Sequence, residues 1–229
     1  RRLNGPGGAA TADVSYRPET ETLDLKIAAS EPGDGIVARL LDLGGATLDF
    51  AVDGAGPLDA WRASWSLAAS GTPFVLGRAT IDRRSEGHDI SAEFKGYLTQ
   101  LAPKAAAPLL AGITTGNLSG RWADEKLTVE QAAIANEAFD VTASGGLDTA
   151  TNRAWGGMSA RVGREDGEPL TFLAKEDEPL RIGRAEIEIN APDSATSRNI
   201  TARLSAAAVA LGEQALGRLT VDAAAAQPR

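Results

Sequence analysis

The chain of 229 residues has no cysteine, one histidine and only 5% aromatic residues. Without cysteine there can be no disulfide, no thiolate metal ligand and no cysteine nucleophile. A net charge of -8 provides no basic surface for nucleic acid, so we expect no DNA or RNA partner. The sequence also lacks an apolar run of the roughly 18 residues that a transmembrane helix needs. We therefore expect this segment to be soluble.

The first residues do not show the pattern of a signal peptide. The opening RRLNGPGGAAT has no apolar stretch and does not begin with Met. We expect the sequence to be a fragment, or a processed chain, whose targeting information lies elsewhere.

What the sequence does contain is alternation of apolar and polar residues, the pattern of half-buried β-strands. It is clearest at residues 47–67, TLDFAVDGAGPLDAWRASWSL. Two alternating halves, one with Phe50 and the other with Trp65, flank Gly and Pro residues typical of a turn. Since side chains alternate between the faces of a strand, each half has one apolar face.

The same pattern predicts strands through most of the chain. They lie near residues 12–17, 23–29, 47–53, 61–69, 74–82, 88–96, 116–123, 126–135, 138–145, 153–162, 169–175, 181–190, 198–209 and 215–224. Apolar residues at helical spacing predict a short helix near residues 36–43, followed by Gly44. Pro103 at a helix start and Gly112 past its end predict a second short helix near residues 103–111.

These elements predict an all-β fold. We expect an elongated, taco-like or solenoid-like sheet, antiparallel or mixed, with an apolar interior groove and two short helices. We divide it into β-repeat segments 1–112 and 113–229, which together form one continuous unit.

Residues that could carry chemistry are sparse. His88 follows a turn, and no G-x-S-x-G motif supplies a nucleophile for it. The acidic clusters at residues 165–168 and 176–178 adjoin Gly167 and Pro179 and have the composition of loop tips. Neither fits a calcium-binding loop. We expect no catalytic residue, no metal site and no cofactor, and hence no enzyme.

The tryptophans allow two interpretations. Trp61, Trp65, Trp122 and Trp155 could form a platform on which sugars stack. Large aromatic residues on strands more often belong to a core, which is the interpretation we favour.

Residues 34–112 resemble a known family. A short helix precedes a strand, then a turn of the form G-x-G-P-L-x-x-W, given by Gly54, Gly56, Pro57, Leu58 and Trp61, and then the strand that carries the tryptophan. This unit resembles the TamB family of translocation and assembly module proteins of diderm bacteria, which are related to AsmA-like and bridge-like lipid transfer proteins. The resemblance implies a periplasmic location and a parent protein anchored in the inner membrane.

The family resemblance also implies a function. Its members have a long apolar β-groove linked to phospholipid traffic between the inner and outer membranes, and they work with the outer-membrane assembly factor TamA. By this resemblance, phospholipid acyl chains are the expected ligand, and TamA is the expected partner of the parent protein.

Alternation provides the residues that would line such a groove. We call them the predicted apolar set: Leu48, Phe50, Val52, Trp65, Leu67, Ile90, Phe94, Leu127, Val129, Phe139, Val141, Ile187, Ile189, Leu204, Leu219 and Val221. A closed sandwich would need the same pattern, because both structures require one apolar face per strand. A structural β-solenoid of the autotransporter type and a glycan-binding β-domain therefore remain alternatives.

Overall fold

The computed structural model describes residues 7–35, 45–101, 107–164, 166–175, 178–192 and 199–226. Most of these residues form fourteen β-strands. The strands are β1 Ala9–Arg17, β2 Thr22–Gly33, β3 Gly45–Pro57, β4 Ala60–Ala69, β5 Thr72–Arg84, β6 Gly87–Gly96, β7 Thr114–Ala123, β8 Lys126–Ala135, β9 Phe139–Asp148, β10 Arg153–Val162, β11 Leu170–Lys175, β12 Glu178–Ala191, β13 Asn199–Leu211 and β14 Gln214–Ala226. Short 3₁₀ helices lie at Pro18–Thr20, Leu98–Leu101 and Ala107–Leu110.

All strands belong to one open antiparallel sheet, so the all-β prediction is confirmed. The sheet follows chain order from β1 to β10 and continues with β12, β13 and β14. β11 pairs with the first part of β12, and β10 pairs with the second part. At about 4.8 Å between neighbouring strands, this path is about 60 Å long. Because β6 pairs with β7, the sheet continues across the boundary at residue 112.

Short turns explain why most strands pair with the next one along the chain. Between β4 and β5, Ser70 and Gly71 have φ values of 47° and 79°. Two left-handed residues in a row form the tight hairpin turn whose twist matches that of the strands. Repeated hairpins give a meander in which nearly all contacts between strands join strands that follow one another along the chain.

The molecule has very little core. Its accessible surface is 14593 Å², whereas a compact protein of 23.7 kDa has about 9,800 Å². Strands contact their neighbours within the sheet, and the described residues contain no second sheet packed over the first. One small buried cluster joins β12 and β13 through Ala185, Ala206 and Val209. The described part of the chain is therefore a single layer rather than a sandwich.

The helix predictions have a different outcome. The helix predicted near residues 36–43 falls outside the described residues. Of the one predicted near 103–111, the described part is the 3₁₀ helix Ala107–Leu110, and Gly112 after it has a φ of 76°. Within the ranges given above, none of the helices has the length and apolarity needed to cross a bilayer.

Candidate apolar binding face

The strand registers align apolar residues in a row that crosses the whole sheet. In an antiparallel sheet, residues directly opposite each other point to the same face. From β1 to β14 this central row is Ala12, Ile27, Val52, Trp65, Gly77, Phe94, Gly116, Ile134, Val141, Ala160, Ile187, Leu204 and Val221. No position in the central row has a polar side chain.

A second apolar row runs beside the central row. It consists of Val14, Leu25, Gly54, Ala63, Ala79, Ala92, Leu118, Ala132, Ala143, Met158, Ile189, Ala202 and Ala223. On the other side of the central row lie Phe50, Leu67 and Val75, which are also opposite one another. We call the surface made by these rows the apolar face. Its polar positions include Glu31 near one end of the strands and His88 near the other.

Every member of the predicted apolar set lies on this one face. For example, Leu48 precedes Phe50 by two residues, Ile90 precedes Phe94 by four, and Val129 is opposite Gly120. The set omitted several residues of the same face. Leu25 and Ile27 on β2 follow a plain alternation and could have been found.

A β-bulge hid one omitted residue, Ile134. On β8 the register with β9 shifts between Val129 and Ala132, so an extra residue is inserted. Strict alternation from Val129 would place Gln131 and Ala133 on the apolar face. The bulge instead turns Ala132 and Ile134 toward it.

Aromatic rings lie over glycines on the apolar face. A Cβ atom built on Gly77 would overlap the ring of Trp65, and one built on Gly116 would overlap Phe94. These two rings contact each other, with centroids 5.9 Å apart and planes tilted by 52°.

Trp61 makes the same arrangement one hairpin earlier, over Gly54. Its indole Nε1 donates a hydrogen bond of 3.0 Å to the carbonyl of Leu23. Trp61 therefore reaches across β3 to β2 and is only 7% exposed.

An apolar pocket of about 300 Å³ lies beside Trp65 and Phe94. Its other walls come from β7, β8 and β9, and include Leu118, Ile134 and Val141. Most of its lining residues belong to the central row or to the second row. The pocket is thus a local depression of the apolar face.

The opposite face carries ion pairs between neighbouring strands, and we call it the charged face. Directly opposite pairs are Lys26 with Asp53, Arg78 with Glu93, Arg121 with Asp89, Arg161 with Asp140, and Arg203 with Asp222. Asp89 accepts hydrogen bonds from Arg84 at 2.7 Å and from Arg121 at 2.8 Å. These hydrogen bonds, first from Arg84 and then from Arg121, lower the pKa of Asp89.

Of the other residues considered for chemistry, those that the structure describes form no metal site. His88 lies opposite Arg83 and Trp122 in the register. Asp166 is held by Arg164 at 3.0 Å, which lowers the pKa of that carboxyl, and it accepts a hydrogen bond from the backbone of Glu168. Residues 165, 176 and 177 are outside the described part. Among the described residues, no group of three His, Cys, Asp or Glu could hold a metal ion.

The four tryptophans do not share one platform. Trp61 and Trp65 lie on the apolar face, as does Trp122, which is opposite Leu127. Trp155 lies on the charged face, over Gly146. The interpretation that all four tryptophans form one platform for sugars is therefore wrong.

Together these features define a single-layer antiparallel β-sheet with one apolar and one charged face. Comparison with protein-family models, with curated proteins and with solved structures finds no match for this chain. The resemblance to the TamB family therefore stays a prediction from the sequence motif.

Proposed function

We propose that the apolar face binds phospholipid acyl chains and conducts them across the sheet, as part of a protein that serves cell-envelope biogenesis. The observation that carries the proposal is the central row. It joins both edges of the sheet without a polar side chain, over a distance of about 60 Å. The rows run across the strands, so an acyl chain could move from one strand to the next without meeting a charge.

Acyl chains suit this surface because they have no polar groups that need partners. A directional ligand would require several donors and acceptors, whereas the indole N–H of Trp65 is the one side-chain donor of the central row. Each buried methylene contributes about 0.8 kcal/mol, so eight of them contribute about 6 kcal/mol before the entropic cost of binding. Single acyl chains are held reversibly at such energies, which suits transfer better than storage.

The small core supports an external ligand over self-packing. The largest fully buried side chains among the described residues are those of Val75 and Thr114, neither of which is bulky. At the edges, Val14 is 60% exposed and Val221 is 47% exposed, although both belong to apolar rows. Apolar surface left open on this scale is typical of a binding site. A closed solenoid would instead fill its interior with these side chains.

Location and partners rest on the family resemblance alone. By that resemblance we assign the parent protein to the periplasm with an inner-membrane anchor, and we assign it phospholipid transfer between the two membranes. Assistance to outer-membrane protein assembly through TamA belongs to the same proposal.

Native mass spectrometry of the gently purified chain tests the proposal. We expect bound phospholipid in the wild type and its loss in Val141→Asp and Phe50→Arg, both folded by circular dichroism. Thr142→Asp is the matched control, because Thr142 is exposed on the charged face beside Val141. An empty wild-type chain that also takes up no lipid from phospholipid vesicles would favour a structural solenoid. Binding of glycan instead would favour a carbohydrate-binding domain.

A further inference from the structure

Three glycines of the apolar face lie beneath aromatic rings: Gly54 under Trp61, Gly77 under Trp65 and Gly116 under Phe94. All three lie within strands, where glycine is disfavoured because it loses entropy and offers no side chain for packing. None of the three has a positive φ, unlike the turn glycine Gly71 at 79°. The backbone conformation therefore does not require glycine at these positions. Glycine is needed there because the aromatic rings approach the backbone so closely that a side chain would not fit.

We propose that Gly77 and Gly116 set the free height, meaning the space open to a ligand above the apolar face, by letting the rings of Trp65 and Phe94 lie close to the backbone of the sheet. This inference rests on the proposed function, since the free height matters only if acyl chains pass. The two glycines would then be positioning residues for passage.

The consequence of losing either glycine follows from sterics. A methyl group at Gly77 would occupy space that the indole of Trp65 now fills, so the ring would have to rotate away from the sheet. The pocket of about 300 Å³ is lined by both Trp65 and Phe94. A raised ring would enter this pocket and obstruct the central row there.

The charged face offers a matched control. Trp155 lies over Gly146 in the same way, and Gly146 also lacks a positive φ. Because this pair faces away from the apolar rows, Gly146→Ala imposes a similar steric conflict without touching the proposed path.

The experiment measures transfer of a fluorescent phospholipid between two vesicle populations by the purified chain. We expect Gly77→Ala and Gly116→Ala to lower the transfer rate severalfold, and Gly146→Ala to leave it near the wild-type rate. Circular dichroism and thermal melting verify that each variant is folded.

A second substitution separates obstruction from general damage. In Gly77→Ala combined with Trp65→Leu, no indole remains to be raised, so transfer should return toward the rate of Trp65→Leu alone. If Gly77→Ala fails to fold, Gly116→Ala with and without Phe94→Leu makes the same comparison.

The outcomes distinguish this inference from the proposed function. A wild-type chain that neither binds nor transfers phospholipid would overturn both. If the wild type transfers lipid while Gly77→Ala and Gly116→Ala match Gly146→Ala, only the inference on the glycines fails. The inference on the glycines also fails if Gly77→Ala combined with Trp65→Leu transfers lipid as slowly as Gly77→Ala alone.

Discussion

The two faces of the sheet differ in chemistry although they share every strand. On the charged face, oppositely charged side chains meet across neighbouring strands, as Arg78 and Glu93 do at 2.5 Å. On the apolar face, the same register brings together Gly77 and Phe94, the residues next to that ion pair. If one strand shifted by one residue against its neighbour, its apolar side chains would point to the charged face and its charged side chains to the apolar face.

The difference between the faces explains how the strands of a single layer stay in register with very little core. Cross-strand ion pairs each contribute little in water, but like charges opposite each other are unfavourable, so the pattern opposes wrong registers. Backbone hydrogen bonds between the strands and the ion pairs on the charged face together stabilise the sheet. On the other side, the central row has no charged side chain, as binding of an apolar ligand requires.

The largest expected effect comes from a charge at the most buried apolar position. Val75 is 1% exposed, and Val75→Asp should lower the free energy of unfolding by about 3 to 5 kcal/mol, because it buries an unpaired carboxylate. The neighbouring Leu76 points to the other face and is 60% exposed, so Leu76→Asp should change it by less than about 0.5 kcal/mol. Urea denaturation of the two variants measures the contrast. Equal destabilisation would break the distinction between the faces at this point.

An intermediate effect is expected at Asn136, which follows the end of β8. Asn136 donates from Nδ2 to the carbonyl of Leu109 at 2.7 Å, and its Oδ1 accepts from the backbone N–H groups of Ala138 and Phe139. Asn136→Ala removes these hydrogen bonds and should lower the free energy of unfolding by about 1 to 3 kcal/mol.

The matched control for this position is Asn117→Ala, since Asn117 is exposed on the charged face. Denaturation should show little change there. If Asn136→Ala were as mild as Asn117→Ala, the side-chain hydrogen bonds of Asn136 would have no role in stability.

The smallest effect concerns pH and the charged face. Because Arg84 and Arg121 lower the pKa of Asp89 in the folded protein, its contribution to stability is fully present above the ordinary aspartate pKa. That contribution is lost as pH falls through the lowered value. Asp89→Asn should therefore be less stable than the wild type at pH 7, and the difference should shrink in acid.

Urea denaturation between neutral and acid pH measures this difference. Adding Arg121→Gln to Asp89→Asn should cause little further loss, because the negatively charged partner of Arg121 is already gone. A difference between wild type and Asp89→Asn that stays constant with pH would contradict the assignment.

Much of the fold can be predicted from the sequence because alternation is a local property. Each predicted strand overlaps an observed strand, and Phe50 and Trp65 lie on the apolar face as their spacing indicates. Pro103 and Gly112 predict a helix near residues 103–111, and its described portion is a short 3₁₀ helix. The carbonyl of Leu109 in this helix accepts a hydrogen bond from Asn136, a contact distant in sequence that no local pattern contains.

The site could be predicted only in part, because registers are not local. Alternation found residues of the central row, but their order from Ala12 to Val221 depends on every hairpin register in between. The bulge on β8 turns Ile134 toward the apolar face, and the residue types at positions 130 and 131 do not predict a bulge. The choice between an open layer and a sandwich depends on contacts between distant strands, which periodicity does not contain.

Photo-crosslinking in phospholipid vesicles tests the central claim most directly. A photoreactive residue is placed at Val141, in the central row, or at Thr142, the next residue on the charged face. We predict a phospholipid adduct at position 141 and little or none at position 142, with both variants folded. Equal labelling of the two positions, or no adduct at 141, would contradict the claim that the apolar face binds acyl chains.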